Sequence, residues 1–266
     1  MEQAEFLAGR PANALRIGFG NFRAWIEWLE ENLNPQYGAQ FIDLENIQFE
    51  DFDVLVPLQI DHYTPLRRRP DFLGRKFLLP SERATTLCDD KLALTEFLIA
   101  EGFAQFVPRL RAPGPPYPYV WKKRRGWWGL HCHVIKNAQD EAAFDLKDES
   151  WFAQDLVPGE HEITTHILRA NGAIRYASSF GFKMATLRGI KGAIDKPVST
   201  GFVRDCPYLD LFSKMLQWIG YEGTVCFDYK IAYGQPLVLE INPRFGSSLC
   251  WDINAYLEAY ISALTQ

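Results

Sequence analysis

The stretch that most restricts the architecture is residues 223–248, GTVCFDYKIAYGQPLVLEINPRFGSS. Two strand-forming runs, Thr224–Ile231 and Pro236–Ile241, flank Tyr233-Gly234-Gln235, which predicts a β-hairpin closed by a three-residue turn. Alternation along a strand puts Thr224, Cys226, Asp228 and Lys230 on one face, with Val225, Phe227 and Tyr229 on the other. In the second run Val238, Glu240 and Asn242 share a face opposite Leu237, Leu239 and Ile241. The turn then sets Asp228 across from Glu240, with Cβ atoms roughly 4.5–5.5 Å apart. Like charges so placed destabilise a hairpin unless something positive lies between them. Two carboxylates and an amide oxygen, converging as hard donors, suit Mg²⁺ shared with nucleotide phosphates. The other reading is a surface hairpin with solvated carboxylates.

The run Val238-Leu239-Glu240-Ile241-Asn242-Pro243-Arg244-Phe245-Gly246-Ser247-Ser248 resembles the metal-binding signature of the ATP-grasp superfamily. The likeness is to its carboxylate–amine ligase type, with carbamoyl-phosphate-synthetase-like ATP-grasp domains. It implies that Asp228, Glu240 and Asn242 hold Mg²⁺, with Mn²⁺ as the alternative ion, against ATP. It also implies a catalytic role for Arg244 at the reacting phosphate or acyl phosphate, which a fixed guanidinium fork suits. Read without the resemblance, Arg244 is a structural ion-pair partner.

Three further stretches follow the superfamily's order along the chain. Asp90-Lys91, leading into a helix with Leu94, Phe97 and Leu98 on one face and Gly102 as its stop, resembles the domain entrance. There Lys91 reaches ATP phosphate; an exposed helix lysine is the other reading. Pro118–Lys123 resembles the strand whose lysine, here Lys122, contacts the α- and β-phosphates and serves catalysis, with Lys123 where proline is usual. Trp151–Glu160 resembles the strand and hinge that bind adenine through backbone groups around Gln154, Asp155 and Leu156, with Glu160 or Glu162 at the ribose.

One segment departs from the pattern. Relatives cover the phosphates with a glycine-rich loop, whose backbone N–H groups approach closely. This chain has Arg124-Arg125-Gly126-Trp127-Trp128-Gly129 instead. Arg124 and Arg125 are expected to replace the missing backbone donors as phosphate clamps. Trp127 and Trp128 either cap the site against water or pack between subdomains.

The N-terminal part reads as a short open-sheet α/β segment. Leu15–Phe19, Phe41–Leu44 and Phe52–Leu58 are strand candidates, the last as apolar as a parallel strand requires. Phe22, Trp25, Ile26, Leu29 and Leu33 repeat at helical spacing. Arg67, Arg68 and Arg69 read as a loop, either solvated or binding a carboxylate. Further on, Thr164–Leu168 and Ile174–Ser179 flank Asn171-Gly172 as a strand pair. Phe180–Lys191 matches no element. Helices are expected around Leu211–Ile219 and Ala255–Leu264, and His131 and His133 read as packing residues rather than metal ligands.

With 266 residues, 47% of them hydrophobic, the chain can bury a sizeable core. The balance of 28 basic and 33 acidic residues, net −5, gives no nucleic-acid footprint. Five scattered cysteines without metal or disulfide spacing fit a reducing cytoplasm. Met1–Glu5 is acidic, unlike a signal peptide, and no apolar run reaches the length of a membrane span. The expectation is a cytoplasmic protein, with a homodimer as one option, that engages neither membrane nor nucleic acid.

The resemblance implies an α/β fold, with the N-terminal segment preceding a two-subdomain α+β clamp on ATP. The expected division is 1–85, 86–150 for the small subdomain and 151–266 for the catalytic one. The implied chemistry is amide or peptide bond formation between a small-molecule carboxylate and an amine, amino acids among them. ATP first converts the acid to an acyl phosphate. A non-catalytic nucleotide-binding protein and a small-molecule kinase on the same fold are the alternatives. Crowding of Asp228 and Glu240 further predicts that Glu240→Gln or Asn242→Ala abolishes turnover yet raises stability without nucleotide.

Overall fold

The structure is a computed structural model and describes residues 15–126, 129–192 and 195–265. The acidic start at Met1–Glu5 and the pair Trp127 and Trp128 lie outside the described residues.

Strand β1 (Ile17–Gly20) leads into helix α1 (Arg23–Asn32), then β2 (Gln40–Ile42) and β3 (Val54–Val56). The strands form a parallel sheet of order β2-β1-β3. β1 and β3 are buried along their whole length, as strands covered on both faces should be. Helix α1 turns Trp25 and Leu29 into the core and leaves Ala24 and Trp28 exposed.

The arginine cluster expected as a loop starts inside a short helix, α2 (Tyr63–Arg67). Its arginines are engaged locally. Arg67 donates to Pro80 O and Thr85 Oγ1, Arg68 pairs with Glu45, and Arg69 pairs with Glu50 and Asp71. None of the three lines the central cavity, which removes the carboxylate-binding reading. Helix α3 (Glu82–Asp89) follows, capped by Ser81, and then α4 (Lys91–Leu98), where Asp90 Oδ1 accepts from Ala93 N at 3.1 Å.

A small antiparallel sheet contains β4 (Leu110–Arg111), β5 (Tyr119–Lys123), β6 (Cys132–Ile135) and, after the short helix α5 (Ala138–Glu141), β7 (Trp151–Asp155), in the order β4-β7-β5-β6. β7 pairs with β5 from Tyr119↔Asp155 to Lys123↔Trp151, so this sheet runs past the division expected at residue 150. Trp121 and Trp151 stack at 6.2 Å, and His133 packs on Phe144 and Trp151.

The large antiparallel sheet has the order β10-β9-β8-β11-β12. It is built from β8 (His161–Ala170), β9 (Ala173–Lys183), β10 (Ser199–Val203), β11 (Gly223–Ala232) and β12 (Gln235–Asn242), with helix α6 (Leu209–Ile219) between β10 and β11. Phe180–Lys183, unassigned from sequence, simply continues β9. Phe212, Met215, Leu216 and Ile219 of α6 recur at helical spacing and pack with Val225, Phe227 and Tyr229 beneath the sheet. The stacked Phe212–Phe227 pair, at 4.3 Å, marks that contact. The opposite face of β11 is thereby left to Cys226, Asp228 and Lys230.

The hairpin reaches the expected register by another route. Ala232 pairs with Gln235, so the turn has two residues, Tyr233-Gly234, rather than three. A bulge opposite Asp228/Tyr229 leaves Leu239 unpaired and brings Asp228 back across from Glu240.

The chain ends in helix α7 (Ile253–Leu264), whose Ile253, Tyr256, Leu257 and Tyr260 share a core with Ile17, Phe19, Trp25 and Leu29. No helix among the described residues is long and apolar enough to cross a membrane.

Candidate functional site

Between the small sheet and the open face of the large one lies a cavity of about 780 Å³. Its walls include Lys91, Lys122, Glu162, Thr164, Asp228, Glu240, Asn242 and Arg244. Alternation on β8, β11 and β12 explains this: Glu162 and Thr164, then Asp228, then Glu240 and Asn242, all point away from α6.

The carboxylates are not left facing one another. Lys91, the first residue of α4, extends across the cleft to Glu240 Oε2 at 3.2 Å and donates to Gly126 O at 2.6 Å. Lys191 Nζ lies 2.8 Å from Asp228 Oδ1, 3.2 Å from Glu162 Oε1 and 2.6 Å from Thr164 Oγ1, over the Phe182 ring. Thr164 also donates to Asp228 Oδ1. Asn242 Nδ2 bridges the pair, at 3.1 Å from Asp228 Oδ2 and 3.0 Å from Glu240 Oε1. The cations that the hairpin demanded are thus two lysines from outside it, one on each carboxylate, and the crowding expected to destabilise the fold is already neutralised.

Burial and charge set the ionisation of these groups. Burial raises the Asp228 and Glu162 carboxyls above their ordinary values, with Lys191 pulling both the other way. Burial also opposes ionisation of Glu240, yet Lys91, Asn242 and Lys122 outweigh it and hold that carboxyl well below the usual range. Lys191 is raised, because Asp228 and Glu162 overcome its burial. Lys122, buried and 3.1 Å from Leu239 O on the facing sheet, is lowered by desolvation.

Other expected positions lie elsewhere. Arg124 is not free to clamp phosphate: it makes a two-pronged pair with Asp90, Nε to Oδ1 at 3.0 Å and Nη2 to Oδ2 at 2.8 Å, which ties β5 to the N-terminus of α4. Arg125 leans toward Asp89 and Asp90 at 3.9 Å, and neither arginine lines the cavity. Gln154 is buried, with Nε2 donating to Pro108 O at 3.1 Å, and its backbone lies in strand pairing on both sides. Asp155 is held by Arg109, and its N–H donates to Arg109 O. Leu156 and Glu160 follow in the hinge, outside the cavity wall, with Glu160 4.0 Å from Lys183. Glu162 lines the cavity, paired to Lys191 beside Asp228. Lys230, buried on the same face, donates to Gly159 O and Gly189 O and so ties the hinge to the loop that carries Lys191.

Lys191, Thr164 and His166 were missed by sequence reading; only the glycines flanking Ile190-Lys191 hinted at a loop built for close approach. Gly129 shows that approach. Its φ of 61° is left-handed, and a Cβ there would sit 2.7 Å from Lys191 O. The two loops therefore meet backbone to backbone over the cavity. His166 Nε2 bonds Ser248 Oγ at 2.8 Å while Nδ1 is buried without a partner among the described residues. Burial, then Lys191 and Arg244, push its pKa down to about 3.

No protein-family model matches the chain, and no curated protein does. Solved structures do. D-alanine–D-alanine ligase from Bacillus anthracis superposes with a TM-score of 0.60 at 14% identity, over 94% of this chain and 95% of that one. L-amino acid ligase from Bacillus licheniformis gives 0.62 at 13% identity, over 94% and 72%. An Archaeoglobus fulgidus protein assigned to the ATP-grasp superfamily gives 0.59 at 15% identity, over 95% and 88%. Likeness at such identity speaks for the path of the backbone, and across nearly the whole length the chain has the ATP-grasp fold.

Proposed function

We propose that the protein is an ATP- and Mg²⁺-dependent ligase that joins a small-molecule carboxylate to an amine through an acyl phosphate, releasing ADP and phosphate. The observation that carries this reading is the cleft itself, in which Lys91 and Lys191 are paired to Glu240 and Asp228 while Lys122 is buried against the facing sheet. Such a set holds cations ready for phosphate and carboxylates ready for a metal. Similar structures include a D-alanine–D-alanine ligase complexed with ATP and a carboxyaminoimidazole synthase complexed with ADP.

The donor set fits Mg²⁺ as a shared ion. Asp228, Glu240 and Asn242 would hold the ion, and phosphate oxygens and water would supply its remaining ligands. Asn242 would turn its amide over to present Oδ1. Bound Mg²⁺ supplies charge neutralisation at the transferring phosphoryl group.

The chain's own residues do the rest. Lys91 and Lys122 bind phosphate oxygens, and Lys191, released from Asp228, neutralises charge beside them. The hinge holds the base through the Leu156 backbone, since Gln154 and Asp155 are engaged, and Glu160 meets the ribose. The acid's carboxylate oxygen attacks the γ-phosphorus and ADP leaves. The amine nitrogen then attacks the acyl carbon and phosphate leaves. Arg244 orients the reacting carboxylate with its fork. Screening acid and amine pairs, amino acids first, by product mass and phosphate release tests this. ADP and phosphate are expected only with both substrates present. AMP and pyrophosphate, or a phosphorylated acceptor, would sink it.

A further inference from the structure

The cavity has two chemically different ends. Lys91, Lys122 and Leu239 line the one toward the small sheet. The other is built where α1 packs against the turn Ser247–Asp252, and there Arg244 lies 5.9 Å from the Trp25 ring. Helix α1 presents Ala24 and Trp28, one turn apart, to the cavity, while Trp25 and Leu29 go into the core. Trp28 is 40% exposed and forms part of the cavity wall. A large bare ring at the wall of a cleft, with a small residue one turn away, is shaped for a flat or bulky apolar group.

Charge decides what that group is attached to. Glu162 and Asp228 share Lys191, and Glu240 pairs with Lys91, so each of these carboxylates already has its cation. Arg244 has no acidic partner among the described residues; its side chain donates only to Phe245 O, at 3.0 Å. An ammonium placed here would meet an uncompensated guanidinium in a medium less polar than water. A carboxylate would gain the paired hydrogen bonds of the fork.

We propose that this end seats the carboxylic acid that becomes activated, and that the acid carries an aromatic or large apolar group lying against Trp28, in the space Ala24 leaves. This rests on the ligase reading for the acid's fate but not for its binding, so binding is the measurement. Titration calorimetry with phenylpropionate, acetate and phenylethylamine, in the presence of Mg²⁺ and a non-hydrolysable ATP analogue, separates the possibilities. Phenylpropionate is expected to bind at least about tenfold tighter than acetate or phenylethylamine. Trp28→Ala should erase the advantage over acetate, Ala24→Leu should weaken phenylpropionate alone, and Arg244→Gln should weaken both acids. Trp28→Leu, with melting curves, guards against a variant that fails to fold. Preference for the amine, absence of phenylpropionate binding, or unchanged selectivity in both Trp28 variants would overturn the assignment. If phenylpropionate binds as expected but ATP and hydroxylamine give no hydroxamate from any acid, the ligase reading fails and this site stands.

Discussion

Lys191 is the residue on which the charge balance of the cleft depends. It stands between Glu162 and Asp228, so removing it leaves two buried carboxylates without their ion-pair partner. Breaking a buried pair from one side costs about 3–5 kcal/mol. Lys191→Met is therefore expected to lower the melting temperature sharply without ligand, and Mg²⁺ or Mn²⁺ should recover more of it than in the wild type. Equal metal responses would contradict this. Glu240→Gln and Asn242→Ala are expected to abolish turnover, measured as phosphate release. They should also lower stability by about 1–3 kcal/mol, the cost of stranding Lys91 or the two carboxylates. This reverses the gain expected from crowding, because the lysines already relieve it. His166 gives a pH dependence. Its folded pKa is pushed down to about 3 from 6.5, so below about pH 6.5 the unfolded chain binds a proton that the native one refuses. Stability is then lost as pH falls, by about 1.4 kcal/mol per unit. Urea unfolding at a series of pH values between about 6.5 and 4.5 should be less steeply pH-dependent in His166→Gln.

At the scale of the element, the β11–β12 hairpin shows how a right register can have an unexpected cause. Strand alternation was legible, because one face packs on α6 and the other lines the cleft. The turn was not. Tyr233 has φ 55° and Gly234 has φ 77°, so the two-residue loop needs left-handed backbone at both positions, which a Tyr-Gly pair does not advertise. Leu239 then makes up the missing residue as a bulge. Tyr233 is 87% exposed, so its left-handed backbone is not offset by packing. Tyr233→Asn is expected to stabilise the protein by about 0.5–1 kcal/mol, a rise of about 1–4 °C by calorimetry. No rise would mean that the turn relaxes at no cost.

For the whole molecule, the N-terminal sheet and the C-terminal helix form one core. Tyr260 OH donates to Leu55 O and accepts from Leu78 N, and Tyr63 OH donates to Pro243 O, one residue before Arg244. The N-terminal segment therefore positions the Asn242–Arg244 end of β12 as well as supplying Ala24 and Trp28. A chain lacking residues 1–85 would bare Phe245, Leu249, Tyr256 and Tyr260. It is expected to melt without a cooperative transition and to bind a hydrophobic dye, whereas the full chain melts as one unit. Cooperative melting of the fragment would show that the ATP-grasp portion stands alone.

The sequence by itself determined the local structure: apolar runs made buried strands, helical spacing made α1, α4 and α6, and the alternation around Asp228 and Glu240 set those carboxylates on one face. It did so because period and turn chemistry act over a few residues. Tertiary structure alone decided which long side chains meet across the cleft. Arg124 lies next to Lys123 in sequence yet is taken by Asp90, while Lys191, 37 residues from Asp228, reaches it. A lysine or arginine goes to whichever carboxylate the folded backbone brings within a few ångströms. That choice depends on loop paths over distances that no local pattern encodes.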